Sequence, residues 1–167
     1  MKFAEKVFVV FGLIGIGMRL LDVGGGSLFV VLSLLCLACL YLFCGFIFYN
    51  GIRLRRVFRI ESYAEVSASQ ILMGVFTGML HFVLLASAIF RVENWYGDTL
   101  LLICAVALVF IYTLIIFIVN FRSTLSLYRA ILSRSVVLLV LGLVLLMAPG
   151  LRFEVRQFPD YLQKKML

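Results

Sequence analysis

The sequence predicts an all-α, polytopic membrane bundle, and three observations lead there. Of its 167 residues 65% are hydrophobic and only 14% charged, whereas an ordinary soluble domain is ~45–50% apolar and ~25% charged. The excess is gathered into five long apolar segments, and mean hydropathy is +1.18. Those segments are continuous rather than alternating. They therefore suit helices, which satisfy their own backbone bonds in hydrocarbon, and not the strands of a barrel.

The first segment, about Ala4 to Leu21, is uninterrupted only from Val7 to Met18. It reaches membrane length if Lys6 and Arg19 snorkel to the two interfaces. Its basic start followed by an apolar run could also be a signal peptide. No small-x-small cleavage site follows it, so a retained helix is expected. The stretch "DVGGGS" then turns the chain, with Gly25 in the turn and Ser27 as the expected N-cap of the next helix. The second segment, about Leu28 to Tyr49, spans easily.

The loop 50–69 carries Arg53, Arg55, Arg56 and Arg59, the strongest topology signal in the chain. It is expected on the cytoplasmic side and in contact with anionic lipid. Ser62-x-x-Glu65 and Ser67-x-x-Gln70 are overlapping capping boxes, so the third helix should begin before the membrane does. The third segment runs from about Gln70 to Phe90. An outer turn follows, with Gly97 and with Trp95 and Tyr96 at interfacial depth. The fourth segment runs from about Thr99 to Phe121, and an inner loop carries Arg122 and Arg129. The fifth, about Ile131 to Met147, holds Arg134 near its start and stops before Pro149-Gly150.

This organisation makes 1–150 a transmembrane bundle with hairpins 3–49 and 70–121 and a fifth helix 131–148. Residues 151–167 form an interfacial tail. Alternation puts nine Lys and Arg inside and six outside, four of the six in the tail: Arg152, Arg156, Lys164 and Lys165. That conflicts with the positive-inside rule. Either the late charges are overridden, which is the favoured reading, or the fifth segment is re-entrant.

An internal repeat is expected at an offset of 72 residues, laying Ile16–Val31 over Ala88–Ile103. Arg19 meets Arg91, Asp22 meets Asn94, Gly25 meets Gly97 and Ser27 meets Thr99. Each half is then a hairpin with an arginine at its outer end. Two units of two spans each insert the same way round, as parallel repeats do.

The candidate chemistry is sparse. The net charge of +7 sits beside the spans, which suits topology and lipid contact rather than nucleic acid. Cys36-x-x-Cys39 has metal or redox spacing, but a zinc site wants four ligands. Cys36, Cys39, Cys44 and Cys104 all fall in apolar runs, so they read as small hydrophobes, and no metal or cofactor is expected. His81, the single histidine, lies mid-span. It shares a helical face with Gln70, Gly74, Gly78 and Ala88, and Gly-x-x-x-Gly lets membrane helices approach closely. The face reads first as a packing seam and second as a ligand or proton site. All eight carboxylates, Glu5 among them, read as peripheral, which disfavours a proton- or sodium-coupled transporter. No catalytic constellation is evident, so the protein is not expected to be an enzyme. Arg19 and Arg91 form an outer-face charge pair. They could meet an anionic headgroup, or pair locally: Arg19 with Asp22, Arg91 with Glu93 or Asp98.

The stretches "GMRLLDVGGGSLFVVLSL" and "AIFRVENWYGDTLLLI" resemble small multi-span inner-membrane proteins of gliding, type IX-secreting bacteria, a family without an assigned activity. They are also similar to the membrane hairpin of the gliding-motility motor stator. That hairpin precedes a large cytoplasmic region and carries an intramembrane acidic residue. Here further apolar segments follow, and no acidic residue lies in an apolar run. The resemblance therefore implies a bacterial inner-membrane setting and no motor activity. The expectation for function is a non-enzymatic subunit, scaffold or assembly factor of a membrane complex, or a homo-oligomer, embedded in the lipid bilayer and with no small-molecule substrate identified. An oligomeric channel or small-solute transporter, and a lipid-binding protein, are the alternatives.

Overall fold

The computed structural model describes residues 2–21, 23–52, 66–122 and 126–147. They form five helices and no strand: α1 (Lys2–Leu20), α2 (Gly26–Tyr49), α3 (Ala68–Val92), α4 (Asp98–Arg122) and α5 (Ser126–Met147). The protein is thus an all-helical bundle. Among the described residues four helices, α2 to α5, are long and apolar enough to cross a membrane. The 19 residues of α1 include Lys2, Glu5, Lys6 and Arg19, and it does not join them.

Successive helices run antiparallel. One end of the bundle carries both hairpin turns, and the other carries the α2–α3 connection. They are called the turn end and the loop end below. The two turns are built alike. Gly25 and Gly97 both adopt positive φ, 92° and 80°, which favours glycine at each. Four backbone bonds recur at the 72-residue offset. Leu21 N–H donates to Gly17 and Glu93 N–H to Ile89. Val23 donates to Met18 and Trp95 to Phe90. Gly26 donates to Val23 and Asp98 to Trp95. Phe29 donates to Gly25 and Leu101 to Gly97. Both hairpins therefore point the same way through the bundle.

Ser27 and Thr99 are not the N-caps that the sequence suggests. Helix α2 already begins at Gly26 with Gly25 as its cap, and α4 begins at Asp98. Ser27 instead donates to Glu93 at the end of α3, which ties one turn to the other. Thr99 donates to Asp98 and accepts from Arg91. The α3 cap does form as expected: Ser67 accepts from the Gln70 N–H, and the Gln70 side chain accepts from Ser67 N–H at 3.0 Å. The Ser62 box lies outside the described residues, as do Arg53, Arg55, Arg56, Arg59 and the tail 151–167.

Packing centres on α2 and α3. Three glycines let these backbones meet. A Cβ on Gly45 would stand 2.9 Å from the Gly78 Cα, and one on Gly74 would stand 2.8 Å from the Phe46 Cα. A Cβ on Gly78 would run into the Tyr41 carbonyl oxygen. Helix α1 packs on the opposite flank of α2, where Gly15 abuts Val30. Helices α4 and α5 pack on α3 and on each other around Leu84, Leu85, Leu102, Ile116 and Ile131. Helix α5 starts earlier than expected because Leu127 and Ile131, one turn apart, both enter the core. It then runs the full height of the bundle. Ser135 reaches His81 at mid-height, and the Leu145 carbonyl accepts from Arg91 at the turn end. A re-entrant α5 does not fit that path.

The seam sets a stability contrast. Gly78→Ala should lower stability by about 1–3 kcal/mol, the usual range for overpacking. Gly17, where an added methyl would meet nothing within 4 Å, should accept Ala without loss and gain up to about 1 kcal/mol of helix propensity. Thermal unfolding of the two variants in detergent, followed by size-exclusion chromatography, checks the contrast.

Candidate functional site

The register of α1 on α2 creates the site. Gly15 lies at Val30, Gly12 at Ser33, and Glu5 at Tyr41. Tyr41 is eight residues short of the end of α2 at Tyr49. Helix α2 therefore extends about 12 Å beyond the level of Glu5, at 1.5 Å per residue. Helix α5 borders the same space from the other side. The result is a cavity of about 840 Å³ at the loop end, between α1, α2 and α5. Its walls are mainly apolar: Val9 and Val10 of α1, Leu37 and Phe48 of α2, Val137 and Leu138 of α5. Val10 and Val137 are 52% and 64% exposed, so the cleft opens sideways toward the lipid-facing surface.

An ion pair crosses this cleft. Arg134 donates to Glu5 twice, from Nε to Oε1 at 2.9 Å and from Nη2 to Oε2 at 3.2 Å. The Tyr41 hydroxyl donates to Oε1 at 2.6 Å. Arg134 Nη1 donates to the Ala130 carbonyl, and the guanidinium carbon stands 5.5 Å from the centre of the Tyr49 ring. The side chains of Arg134 and Glu5 are 15% and 17% exposed, so both charges are largely removed from solvent. This corrects the reading of Glu5 as peripheral. The carboxylate lies in the first turn of α1, and it packs at the depth of Tyr41, well inside α2.

Behind the ion pair lies a buried polar cluster around His81, which has no exposed surface. The Tyr49 hydroxyl is 2.6 Å from His81 Nδ1, and the Ser135 hydroxyl is 2.9 Å from Nε2. A neutral imidazole serves this geometry, with one nitrogen donating and the other accepting. The Tyr41 ring meets the imidazole edge-on at 5.2 Å. One turn toward the loop end, Thr77 shares a hydrogen bond with Tyr112 of α4. Toward the turn end the buried Ser87 hydroxyl donates back to its own helix at the Val83 carbonyl. Leu84, Leu85, Ala88 and Leu102, none more than 2% exposed, close the centre of the bundle.

The other residues singled out by the sequence fall elsewhere. Gly74 and Gly78 meet α2, and His81, on the same stripe, reaches α2 and α5 together. The Gln70 side chain turns back to the helix cap rather than into the seam, while its carbonyl accepts from Asn50 at 3.3 Å. Gly45, the partner of both seam glycines, was not signalled, because a lone glycine in an apolar run has no spacing to mark it. Arg91 is only 6% exposed. It donates to Asp98 and Thr99 at 2.8 Å and to the Leu145 carbonyl. It is thus a turn-end clamp on α4 and α5 and not a free outward charge. The side chain of Arg19 and all of Asp22 lie outside the described residues, so the expected pairing of the two arginines has no described geometry. The four cysteines are free thiols.

Nothing local in the sequence marked Glu5 and Arg134, which are 129 residues apart. Their coupling is measurable. Glu5→Gln and Arg134→Gln should each lower stability by about 1–3 kcal/mol, because each leaves a partly buried charge without its partner. The double variant should cost less than the sum of the two, with a coupling of about 0.5–3 kcal/mol. A double-mutant cycle of thermal or denaturant unfolding in detergent reads this directly.

Comparison of the chain with models of protein families, with curated proteins and with solved structures finds no match, so the chemistry of the cleft stands on its own geometry.

Proposed function

We propose that this is a non-enzymatic, multi-pass membrane protein that binds a small amphipathic molecule taken from the bilayer. The observation that carries the reading is the cleft between α1 and α5. Its volume of about 840 Å³ falls within the roughly 300–1,000 Å³ of small-molecule sites. Its apolar walls and one charged, hydrogen-bonded end match an amphiphile, with few polar groups fixing orientation. Its side opening supplies an entry path from hydrocarbon. The arginines of the 50–69 loop support a cytoplasmic loop end, and the resemblance to inner-membrane proteins of gliding bacteria supports a bacterial inner-membrane setting.

Two other readings draw less support. A conducting path through one chain would have to cross the packed layer at Leu84, Leu85 and Ala88, so a channel would need several chains. The lipid-binding alternative suggested by Arg19 and Arg91 loses its second arginine, which Asp98, Thr99 and the Leu145 carbonyl engage. The cleft at the opposite end provides the site instead. A role as subunit or scaffold of a larger complex is compatible with ligand binding, the bound molecule then stabilising α1 against α5.

Val137→Trp should fill the mouth of the cleft. Native mass spectrometry of the protein in mild detergent should find one small amphiphile per chain in the parent protein. Val137→Trp should abolish it. Val144→Trp, two turns along α5 and also exposed, should retain it. Equal retention in both variants, or none in the parent, overturns the reading.

A further inference from the structure

We propose that the ligand of the cleft is an anionic amphiphile with a single acyl chain, a carboxylate or phosphate headgroup meeting Lys6 and Arg134. The inference rests on the cleft being a binding site and goes on to assign its charge class. Three charged side chains line its polar end: Glu5, Lys6 and Arg134. Two are cationic and one anionic, so the described lining carries one net positive charge. Glu5 is already met by three donors, the Tyr41 hydroxyl and two Arg134 N–H groups. It has little left to offer a ligand cation.

Arg134 is not exhausted in the same way. A guanidinium carries five N–H donors. Three are used, one each from Nε, Nη1 and Nη2. The other two, one on each terminal nitrogen, make no hydrogen bond with a described residue beyond the adjacent Tyr41 hydroxyl. Such paired donors fit carboxylate and phosphate oxygens. Lys6 is exposed, lines the same cavity and follows Glu5 on α1. A flexible ammonium at the mouth suits a headgroup that stays near the interface while its chain lies in hydrocarbon. Along the cleft Val9, Val10, Val137 and Leu138 offer an unbroken apolar track between α1 and α5. Tyr41 and Tyr49 place two rings at the junction of the polar and apolar parts.

The test uses the full-length protein in detergent and four probes sharing one chain: oleate, oleoyl-lysophosphatidylglycerol, oleyl alcohol and oleylamine. Competition against a fluorescent fatty acid reads affinity. Oleate or the lysolipid should bind saturably at one per chain, at least tenfold more tightly than the alcohol, with oleylamine weakest. Preference between the first two assigns carboxylate or phosphate. Lys6→Ala, an exposed substitution, should weaken the anionic probes about tenfold and leave the alcohol unchanged. Equal affinity for anion, alcohol and amine, with all three lost in Val137→Trp, overturns the charge class and keeps the site. Anion binding unaltered by both Lys6→Ala and Val137→Trp overturns the site as well. Thermal unfolding of each variant separates lost binding from lost fold.

Discussion

The close approach of α2 and α3 is the constraint on which the rest of the bundle depends. In hydrocarbon the apolar side chains of two helices gain little by leaving lipid, so association rests on van der Waals contact and interhelical hydrogen bonds. Gly45, Gly74 and Gly78 allow that contact to be backbone on backbone. The approach also brings Tyr49 of α2 within hydrogen-bond distance of His81 on α3. A wider seam would strand a buried imidazole and a buried hydroxyl together. His81 then carries the constraint to α5 through Ser135. One close contact thus sets the positions of three helices.

Helix α1 stands apart from this arrangement. It packs on α2, and its principal described link to α5 is the ion pair between Glu5 and Arg134. Buried ion pairs contribute little net stability but are costly to break, because removing one partner strands the other. The pair therefore works less as glue than as a register pin. It fixes the register of α1 on α2, and that register makes the cleft. Helix α1 supplies the carboxylate, the ammonium and one apolar wall of the cavity.

The helices themselves were legible in the sequence because hydrophobicity is local. All five segments, the Ser67 cap and the glycine turns could be read from composition and spacing. The ends were less legible: Leu127 enters the core from outside the expected fifth segment, and Gly26 precedes the expected start of the second. The cleft was not legible. It arises from the register of α1 on α2, and a register appears only when two helices lie side by side. Glu5 looked peripheral because it sits near the start of a segment. Its depth is decided by Tyr41, and its charge by a residue 129 positions away. His81 was conspicuous alone, but its partners Tyr49 and Ser135 are common residues in apolar runs, without a spacing that links them to it.

The two ends of the bundle treat an arginine in opposite ways. At the turn end Arg91 meets Asp98 only seven residues away, along with Thr99 and the Leu145 carbonyl. Those partners sit on the next helix and on α5, and Phe90 and Trp95 stack edge to face at the same turn. The Ser27–Glu93 bond adds a second tie between hairpins. That end is closed and cross-braced. At the loop end Arg134 reaches across an open cleft to a helix that little else holds to α5. The rearrangements that admit a ligand require low local stability, and the ion pair is the principal described contact between α1 and α5. The arginine at the turn end is therefore architectural, and on the proposed reading the one at the loop end is placed to meet a ligand.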